Sequence, residues 1–245
     1  MKCLGVIPAR FASTRFPGKP LALILGKPLL QWVIEGSKTS KKLSEILVAT
    51  DDLKIAELGK KCGVRVVMTD SELPTGTDRV WAAVKNENFD VVVNIQGDEP
   101  LISGSLLDSL VEPFIQNEIE MATLGRTMDS EALISETTAK IVMNQNDEAL
   151  YFSRFPIPYS RNKNAESFSG CLKHIGMYAY RKNLLEKLCR TAPVEIEKGE
   201  SLEQLRALYL GAKIKVVRVQ SDSWGVDTPE DVSKIEKLLC TKGAK

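Results

Sequence analysis

The sequence has few of the features that mark secreted, membrane-spanning or nucleic-acid-binding proteins. No apolar run reaches the roughly 20 residues of a membrane-spanning helix, and the run at 3–7 is too short for a signal peptide. Its five cysteines are widely spaced and form no CxxC motif, which predicts neither a zinc site nor a disulfide framework and fits a reducing cytoplasm. The formal net charge is only +1, so we expect no nucleic-acid partner and no membrane insertion.

Acidic residues are missing from the first 34 positions, where five cations occur without a partner nearby in the sequence. These cations are Lys2, Arg10, Arg15, Lys19 and Lys27. Three of them lie in the loop 9–20, directly after an apolar strand that Pro8 ends. Arginine and lysine side chains on such a loop suit a polyphosphate, and a solvated basic loop is the alternative. The loop contains neither GxGxxG nor GxxxxGKS/T, which excludes the dinucleotide fingerprint and the Walker loop.

Short apolar runs alternate with amphipathic stretches through the first hundred residues. After the run 3–7, three more runs predict buried strands: 45–50, 64–68 and 90–95. This alternation is typical of a mainly parallel sheet covered by helices, a three-layered α/β fold. Such sheets bind ligands at the carboxyl ends of their strands. A later hairpin pattern at 140–152 indicates a smaller mixed lobe, at 127–193, inserted into a single domain that spans 1–245.

Two aspartates follow apolar stretches in opposite halves of the sequence. Asp98 comes directly after the strand 90–95, and a carboxylate in that position can hold magnesium against a phosphate. In the segment 224–231, the start of a helix accounts for 228–231 but leaves Asp227 unexplained. An ordinary turn is the alternative for each. If adjacent strands bring their carboxyl ends together, Asp98 and Asp227 would form one Mg²⁺ site with phosphate oxygens.

A polar face is predicted on the strand 173–180, where His174, Gly176, Tyr178 and Tyr180 alternate with apolar residues. His174 is the only histidine, and a lone histidine is often a structural residue with satisfied hydrogen bonds. Here the glycine would leave room for a ligand between two polar rings, which favours a binding role.

Two helix starts have both a structural and a functional interpretation. Thr77 can cap the helix that follows it, or the backbone there can contact a nucleotide together with Arg79. Ser201 and Gln204 have the spacing of a capping box, which explains Gln204 structurally but leaves Glu203 unexplained.

Five separated motifs resemble those of the sugar-acid cytidylyltransferases, which couple CTP to an acidic sugar and release pyrophosphate. The basic loop carries the opening motif, in Pro8-Ala9-Arg10, Ser13-Thr14-Arg15 and Pro17-Gly18-Lys19-Pro20. The segment 76–79 is similar to the family's base-binding segment, and 94–100 and 224–231 are similar to its two metal motifs. The segments 151–154, 174–178 and 200–206 resemble the sugar-binding lobe of one subfamily, which acts on 3-deoxy-manno-octulosonate (Kdo).

The resemblance implies a Rossmann-like fold of the nucleotide-diphospho-sugar transferase type and gives roles to individual residues. The implied catalytic residues are Arg10, Arg15, Lys19, Asp98 and Asp227. The implied nucleotide-binding residues are Pro8, Ala9, Arg10, Ser13, Lys19, Thr75, Gly76, Arg79 and Asp98. The implied sugar-binding residues are Gln96, Lys140, Arg154, His174, Tyr178, Glu203 and Gln204. Asp98 and Asp227 would be the protein ligands of Mg²⁺.

The implied reaction is transfer of CMP from CTP to Kdo, which releases pyrophosphate and activates the sugar for lipopolysaccharide biosynthesis. Two alternatives stay open. One is a cytidylyltransferase for another acidic sugar, of the 8-amino-Kdo or sialic acid type, and the other is a non-catalytic nucleotide-sugar sensor. We expect CTP and Kdo as small-molecule partners in the cytoplasm. The resemblance and the Phe/Pro/Tyr segment 153–159 also imply a homodimer.

Overall fold

The computed structural model describes residues 1–12, 15–159, 161, 170–220 and 224–243. The strands, in chain order, are β1 (Cys3–Ala9), β2 (Leu23–Ile24), β3 (Lys27–Pro28), β4 (Glu45–Thr50), β5 (Arg65–Met68), β6 (Val91–Asn94), β7 (Met121–Arg126), β8 (Lys140–Met143), β9 (Ala149–Ser153), β10 (Cys171–Arg181) and β11 (Ile214–Arg218). The α-helices are α1 (Leu29–Ser37), α2 (Leu53–Lys61), α3 (Gly76–Val84), α4 (Gly104–Val111), α5 (Ser130–Ile134), α6 (Lys182–Arg190), α7 (Glu195–Glu200), α8 (Gln204–Tyr209) and α9 (Pro229–Gly243). Short 3-10 helices occupy Lys19–Leu21 and Glu112–Ile115. Within the described ranges, no helix is long and apolar enough to cross a membrane.

The chain divides into two compact units, one formed by Met1–Asp108 with Ser223–Lys245 and the other by Ser109–Asp222. The lobe predicted at 127–193 falls inside the second unit. Its status as an insertion into a single domain stays a prediction.

In the first unit, four parallel strands lie in the order β6-β1-β4-β5. β1 pairs with β4 from Leu4 opposite Glu45 to Ala9 opposite Thr50, and it pairs with β6 along its other edge. The chain therefore passes from β1 to β4 and β5 on one side and returns through α3 to β6 on the other. The predicted alternation of strand and helix is confirmed. In sheets of this kind, ligands bind at the point where the strand order reverses, which here lies between β1 and β6.

Both faces of this parallel sheet are buried. Leu4, Val6 and Ile7 of β1 have no exposed surface, and neither has Val92 of β6. Helices on the two faces remove the need for alternating polar residues, so these strands occur as continuous apolar runs in the sequence. The core thus fixes the backbone positions at which β1 and β6 end.

The start of α3 differs from the sequence prediction. Thr75, not Thr77, caps the helix, because its Oγ1 accepts a hydrogen bond of 3.1 Å from Asp78 N. Thr75 has the extended backbone that a capping residue needs, with φ −129° and ψ 166°. Thr77 lies inside the first turn and is buried, so its hydroxyl is withdrawn from the capping position.

In the second unit, β7 pairs with β11 in parallel and with β10 in the antiparallel direction. The predicted hairpin is confirmed as β8 and β9, and β8 also pairs with the start of β10. The register of β10 against β7 shifts between Ile175 and Tyr178. This β-bulge changes which backbone groups of β10 face β7.

The predicted capping box at Ser201 and Gln204 is wrong. Ser201 ends α7 with a left-handed backbone, φ 52°, and α8 begins only at Gln204. The capping interaction lies one helix earlier, where the Glu197 carboxylate accepts a hydrogen bond of 3.1 Å from Val194 N. Glu197 also pairs with Arg206, and both side chains are buried. The spacing of Ser201 and Gln204 therefore does not mark a helix start, and a buried ion pair links α7 to α8.

Candidate active site

A pocket of about 420 Å³ lies in the first unit, where β1 and β6 end. It is lined by Pro8, Ala9, Arg10, Arg15, Lys19, Pro20, Leu73, Pro74, Thr75, Gly76, Arg79, Gln96, Gly97, Asp98 and Asp227. Every residue predicted to bind the nucleotide lines this pocket except Ser13, which lies outside the described residues. All five predicted catalytic residues and Gln96 line it as well.

The predicted metal carboxylates and the predicted phosphate-binding cations contact each other. Lys19 Nζ lies 2.6 Å from Asp98 Oδ2 and 3.6 Å from Asp227 Oδ1. Arg15 Nη2 lies 3.0 Å from the same oxygen of Asp227. Although no acidic residue lies near Arg15 or Lys19 in the sequence, the fold supplies carboxylates that are distant in the sequence. Lys27 likewise pairs with Glu35, at 2.6 Å.

Backbone and side-chain hydrogen bonds hold the two carboxylates in place. Val226 N donates to Asp98 O at 2.9 Å, which ties the segment before α9 to the segment after β6. One oxygen of the Asp231 carboxylate accepts hydrogen bonds of 3.1 Å from Asp227 N and from Thr228 N. Asp227 is thus fixed from both sides, as a residue that orients a ligand should be.

Asp231, in the first turn of α9, holds the segment that precedes this helix. α9 begins at Pro229 as predicted, and the Thr228 hydroxyl donates to Asp231 Oδ2 at 3.2 Å. The hydrogen bond from Lys234, with those from the backbone of Asp227 and Thr228, lowers the pKa of Asp231 to about 2. Asp231 therefore stays ionised and holds the segment that carries Asp227.

Arg79 is buried against the pocket with 2% of its side chain exposed. Its Nη1 donates to Thr69 Oγ1 at 2.5 Å, and its Nη2 lies 3.3 Å from Asp51 Oδ2. The other oxygen of Asp51 accepts a hydrogen bond of 3.4 Å from Phe11 N in the basic loop. Asp51 thus connects Arg79 to that loop. Sequence reasoning missed Asp51, although its position directly after β4, at the carboxyl edge of the sheet, was a usable signal.

Close approach of two chain segments explains one glycine of the pocket. A Cβ atom at Gly97 would lie 2.8 Å from Pro8 O, a distance that real Cβ atoms do not adopt. A residue with a side chain at this position would push apart the ends of β1 and β6. Gly97 therefore keeps the basic loop near Asp98.

Six of the seven predicted sugar-binding residues lie in the second unit. His174 and Tyr178 have ring centroids 5.5 Å apart, and Phe152 packs edge-on against His174 at 5.1 Å. Burial, with a smaller effect of the Arg154 charge, lowers the pKa of His174 to about 3. Burial, together with the Glu203 charge, raises the pKa of Tyr178 well above its ordinary value. Both rings are therefore neutral hydrogen-bonding groups at physiological pH.

Contacts with backbone groups fix Arg154 at the end of β9. Its Nε donates to Glu200 O at 2.9 Å, and its own N donates to the Glu200 carboxylate, also at 2.9 Å. Lys140 is completely buried, and its Nζ donates to Arg154 O at 2.5 Å and to Ser135 O at 2.6 Å. Burial lowers the pKa of Lys140. The structure thus places the Lys140 ammonium on backbone carbonyls, and its role toward a sugar carboxylate stays a prediction.

Gln204 opens α8 with 4% of its surface exposed. Its buried Nε2 finds no hydrogen-bond partner within the part of the chain that the structure describes. A buried amide donor without a partner costs free energy, so a ligand hydroxyl that accepts this hydrogen bond would bind favourably. Glu203 precedes it, in the turn that leads into α8.

Known proteins resemble this chain along its whole length. The family model for cytidylyltransferases matches residues 4–214. The 3-deoxy-manno-octulosonate cytidylyltransferase of Bdellovibrio bacteriovorus is 59% identical over 99% of this chain and 100% of its own length. The enzyme of the same name from Geobacter metallireducens is 44% identical, over 98% of each chain. The solved structure of CMP:2-keto-3-deoxy-manno-octonic acid synthetase complexed with CTP has a TM-score of 0.93 and 36% identity, and the match covers 99% of this chain and 100% of that one.

Proposed function

Because this chain belongs to the cytidylyltransferase family, we propose that it transfers CMP from CTP to Kdo and releases pyrophosphate. The observation that carries the proposal is the convergence of Lys19, Asp98 and Asp227 in a pocket at the switch point of the parallel sheet. In this arrangement, cations that would hold phosphates lie beside carboxylates that would hold a metal ion. Full-length relatives that carry the name of this activity support the choice of sugar.

The reaction joins two anions, so its barrier lies mainly in charge and position. A hydroxyl oxygen of Kdo forms a bond to the α-phosphorus of CTP, the bond from that phosphorus to the bridging oxygen breaks, and pyrophosphate leaves. The hydroxyl proton passes to water. Arg10, Arg15 and Lys19 hold and neutralise phosphate groups, and preorganised cations of this kind account for much of the rate in phosphoryl chemistry. No covalent intermediate on the protein is required.

Backbone groups at the start of α3 and the guanidinium of Arg79 would bind the nucleoside part of CTP. Thr75 and Gly76 line it at the start of α3, where backbone N–H groups can donate hydrogen bonds to the base or the phosphates. Arg79 is held by Thr69 and Asp51, so it contributes donors at little cost in side-chain entropy.

Asp98 and Asp227 would hold Mg²⁺, and the donor set fits this ion. Both carboxylates reach one ammonium group, that of Lys19, so a small cation can contact both of them. Among the described residues, no cluster of three or more histidines, cysteines or acidic residues could hold a metal by itself. Phosphate oxygens and water would then complete the shell, as is usual for magnesium. When bound, the ion supplies positive charge against the phosphates and increases the acidity of the attacking hydroxyl.

The second unit would recognise Kdo. His174, Tyr178 and Gln204 offer neutral hydrogen-bonding groups to sugar hydroxyls, and Arg154 offers a charge for the sugar carboxylate. Discrimination by buried hydrogen-bonding groups is strong, because an analogue without the matching group leaves them unpaired.

We also propose a homodimer in the cytoplasm. Leu150, Phe155 and Tyr159 of the second unit have 59%, 69% and 83% of their surface exposed, and exposed apolar groups so close in the sequence are typical of subunit contacts. All five cysteines are free thiols, which fits a reducing compartment.

The test is pyrophosphate release by the purified protein with CTP, Mg²⁺ and a panel of sugar acids. We expect turnover with Kdo, much slower turnover with UTP or ATP, and no release without sugar. Faster turnover with 8-amino-Kdo or sialic acid would change the sugar assignment. Binding of CTP without release for any sugar would indicate a nucleotide-sugar sensor.

A further inference from the structure

The hydroxyl of Thr123 contacts the ring of His174 and two backbone carbonyls of β10. Thr123 belongs to β7 and is completely buried. Its Oγ1 lies 2.9 Å from Met177 O, 3.0 Å from His174 Nε2 and 3.3 Å from Ile175 O. The two carbonyls point at one hydroxyl because β10 bulges between Ile175 and Tyr178.

The hydroxyl can donate only one hydrogen bond, and this determines where the imidazole proton lies. A carbonyl oxygen only accepts, so the contact between Thr123 Oγ1 and Met177 O is a hydrogen bond only if Thr123 is the donor. If that proton went to His174 Nε2 instead, Met177 O and Ile175 O would both face an oxygen lone pair in a buried site. Oxygen lone pairs that face each other at 2.9 Å repel, and this costs free energy in a buried site of low dielectric constant. The stable arrangement therefore has Thr123 donating to Met177 O and accepting from His174 Nε2–H.

The structure assigns to Thr123 the role of a positioning residue that keeps His174 in the tautomer protonated at Nε2, so that Nδ1 presents a lone pair to a sugar hydroxyl. The ligand class is a polyhydroxylated acid whose hydroxyl donates to the ring. The identity of that acid rests on the proposed function, whereas the tautomer rests on Thr123 alone.

Two further observations support this arrangement. Burial lowers the pKa of His174 to about 3, so the ring carries a single proton at physiological pH and its tautomer is a meaningful choice. Phe152 and Tyr178 pack against the ring, which restricts its rotation. Among the residues that the structure describes, none donates a hydrogen bond to Nδ1, so this acceptor is available to a ligand.

The chain has one histidine, so the tautomer can be read directly from the full-length protein. Long-range ¹H–¹⁵N correlation spectra of uniformly ¹⁵N-labelled protein show a single imidazole, and Nε2 is identified because it couples to both carbon-bound ring protons. We expect Nε2 with the shift of a protonated nitrogen and Nδ1 with that of an unprotonated one. The reverse pattern in the wild-type protein would overturn the inference.

Three variants separate the tautomer from general stability. Thr123→Val removes the hydroxyl at nearly constant volume and should mix the tautomers and lower kcat/KM for Kdo about 10-fold, with the KM for CTP unchanged. Thr123→Ser keeps a hydroxyl and should keep the wild-type spectrum. Val216→Ala is the matched control, because Val216 pairs with Thr123 on β11 and is 2% exposed. It should lower Tm and leave the tautomer unchanged.

The outcomes distinguish this inference from the proposed function. Unchanged tautomers in Thr123→Val would refute it, and if that variant does not fold, the wild-type and Thr123→Ser spectra still decide. An Nε2–H tautomer in a protein without activity on Kdo would retain the inference and refute the sugar assignment. Turnover of Kdo by a protein with an Nδ1–H tautomer would refute the inference and retain the sugar assignment.

Discussion

Lys19 Nζ lies 2.6 Å from Asp98 Oδ2, and both side chains are largely withdrawn from solvent. A cation expected to hold phosphates and a carboxylate expected to hold a metal ion therefore neutralise each other within one pocket. When a nucleotide and a metal ion bind together, the nucleotide phosphates can pair with Lys19 and the metal ion can pair with Asp98. The net charge of the pocket then stays balanced.

The Asp98→Asn substitution should lower kcat by about 10³-fold, equivalent to about 4 kcal/mol of transition-state stabilisation. It removes a charged oxygen from the proposed metal site at nearly constant volume. Steady-state pyrophosphate release measured across a magnesium titration checks this. Asp90→Asn is the control, because Asp90 precedes β6, is exposed and accepts a hydrogen bond from Lys2 N, away from the pocket. Wild-type turnover and magnesium dependence in Asp98→Asn would remove this residue from the metal site.

The Lys19→Met substitution should slow turnover by roughly 10²- to 10³-fold and make stability depend on magnesium. Without the ammonium group, Asp98 and Asp227 repel each other, so the variant should gain more in Tm from added Mg²⁺ than the wild type does. Thermal unfolding with and without Mg²⁺ measures the difference. Lys27→Met breaks a pair with Glu35 away from the pocket and should show no such dependence. Equal magnesium responses in both variants would contradict the prediction.

Asp51 and Asp52 are adjacent but should differ in their effects. Asp51→Ala leaves the buried Arg79 charge without its carboxylate, so it should raise the KM for CTP about 10-fold and cost about 2–4 kcal/mol of stability. Asp52 caps α2 through hydrogen bonds from Lys54 N and Ile55 N. Asp52→Ala should cost about 1 kcal/mol and leave the KM for CTP unchanged. A normal KM for CTP in Asp51→Ala would show that Arg79 does not need this support.

The Lys140→Met substitution distinguishes a positioning role from direct binding of the sugar. The structure places Lys140 Nζ on the carbonyls of Ser135 and Arg154, so the variant should lose about 1–3 kcal/mol of stability. Its KM for Kdo should rise, because Arg154 is displaced. Chemical denaturation and kinetics measured on the same preparation test this. A loss of kcat/KM for Kdo with unchanged stability would favour direct contact between Lys140 and the sugar carboxylate.

Titration of His174 should make the folded protein less stable as the pH is lowered. The pKa of His174 lies at about 3 in the folded protein, compared with an ordinary value of 6.5. Between these values the unfolded chain binds a proton that the folded protein does not, so the free energy of unfolding decreases as pH falls, by at most about 1.4 kcal/mol per pH unit. Urea unfolding of the wild type and of His174→Gln from pH 4.5 to 7 isolates this effect from that of the carboxylates. Parallel pH profiles would exclude it.

Much of the first unit could be predicted from the sequence because its determinants are local. The apolar runs of β1, β4, β5 and β6 mark buried strands, and parallel pairing then places Asp98 and the basic loop at one edge. Gly63, with φ +67°, follows the end of α2, a conformation that favours glycine and is therefore a local signal for the end of a helix. The motif residues of the first unit line one pocket, but Asp227 is held there through the segment before α9, whose Val226 N donates to Asp98 O.

The remaining features depend on contacts between distant residues. Nothing near Lys19 in the sequence shows that it pairs with Asp98 and Asp227. Ser201 has the spacing of a helix cap, but it ends α7, and α8 begins only at Gln204. The buried pair between Glu197 and Arg206 joins residues nine positions apart on these two helices. The bulge that directs two carbonyls to Thr123 likewise exists only once β7 and β10 are aligned.

Two contacts, one of them in the pocket, join the first part of the chain to α9 and the segment before it. The Arg15–Asp227 pair spans 212 positions, and the hydrogen bond from Leu25 N to Glu236 Oε1 spans 211. Closing such a long loop costs conformational entropy before the contact can stabilise the chain, so contacts of this separation form slowly. We therefore expect the pocket to be completed late in folding, after the local pairing of strands and helices. A substitution at Asp227 should consequently speed unfolding more than it slows folding, and CTP binding during refolding reports the last step of assembly.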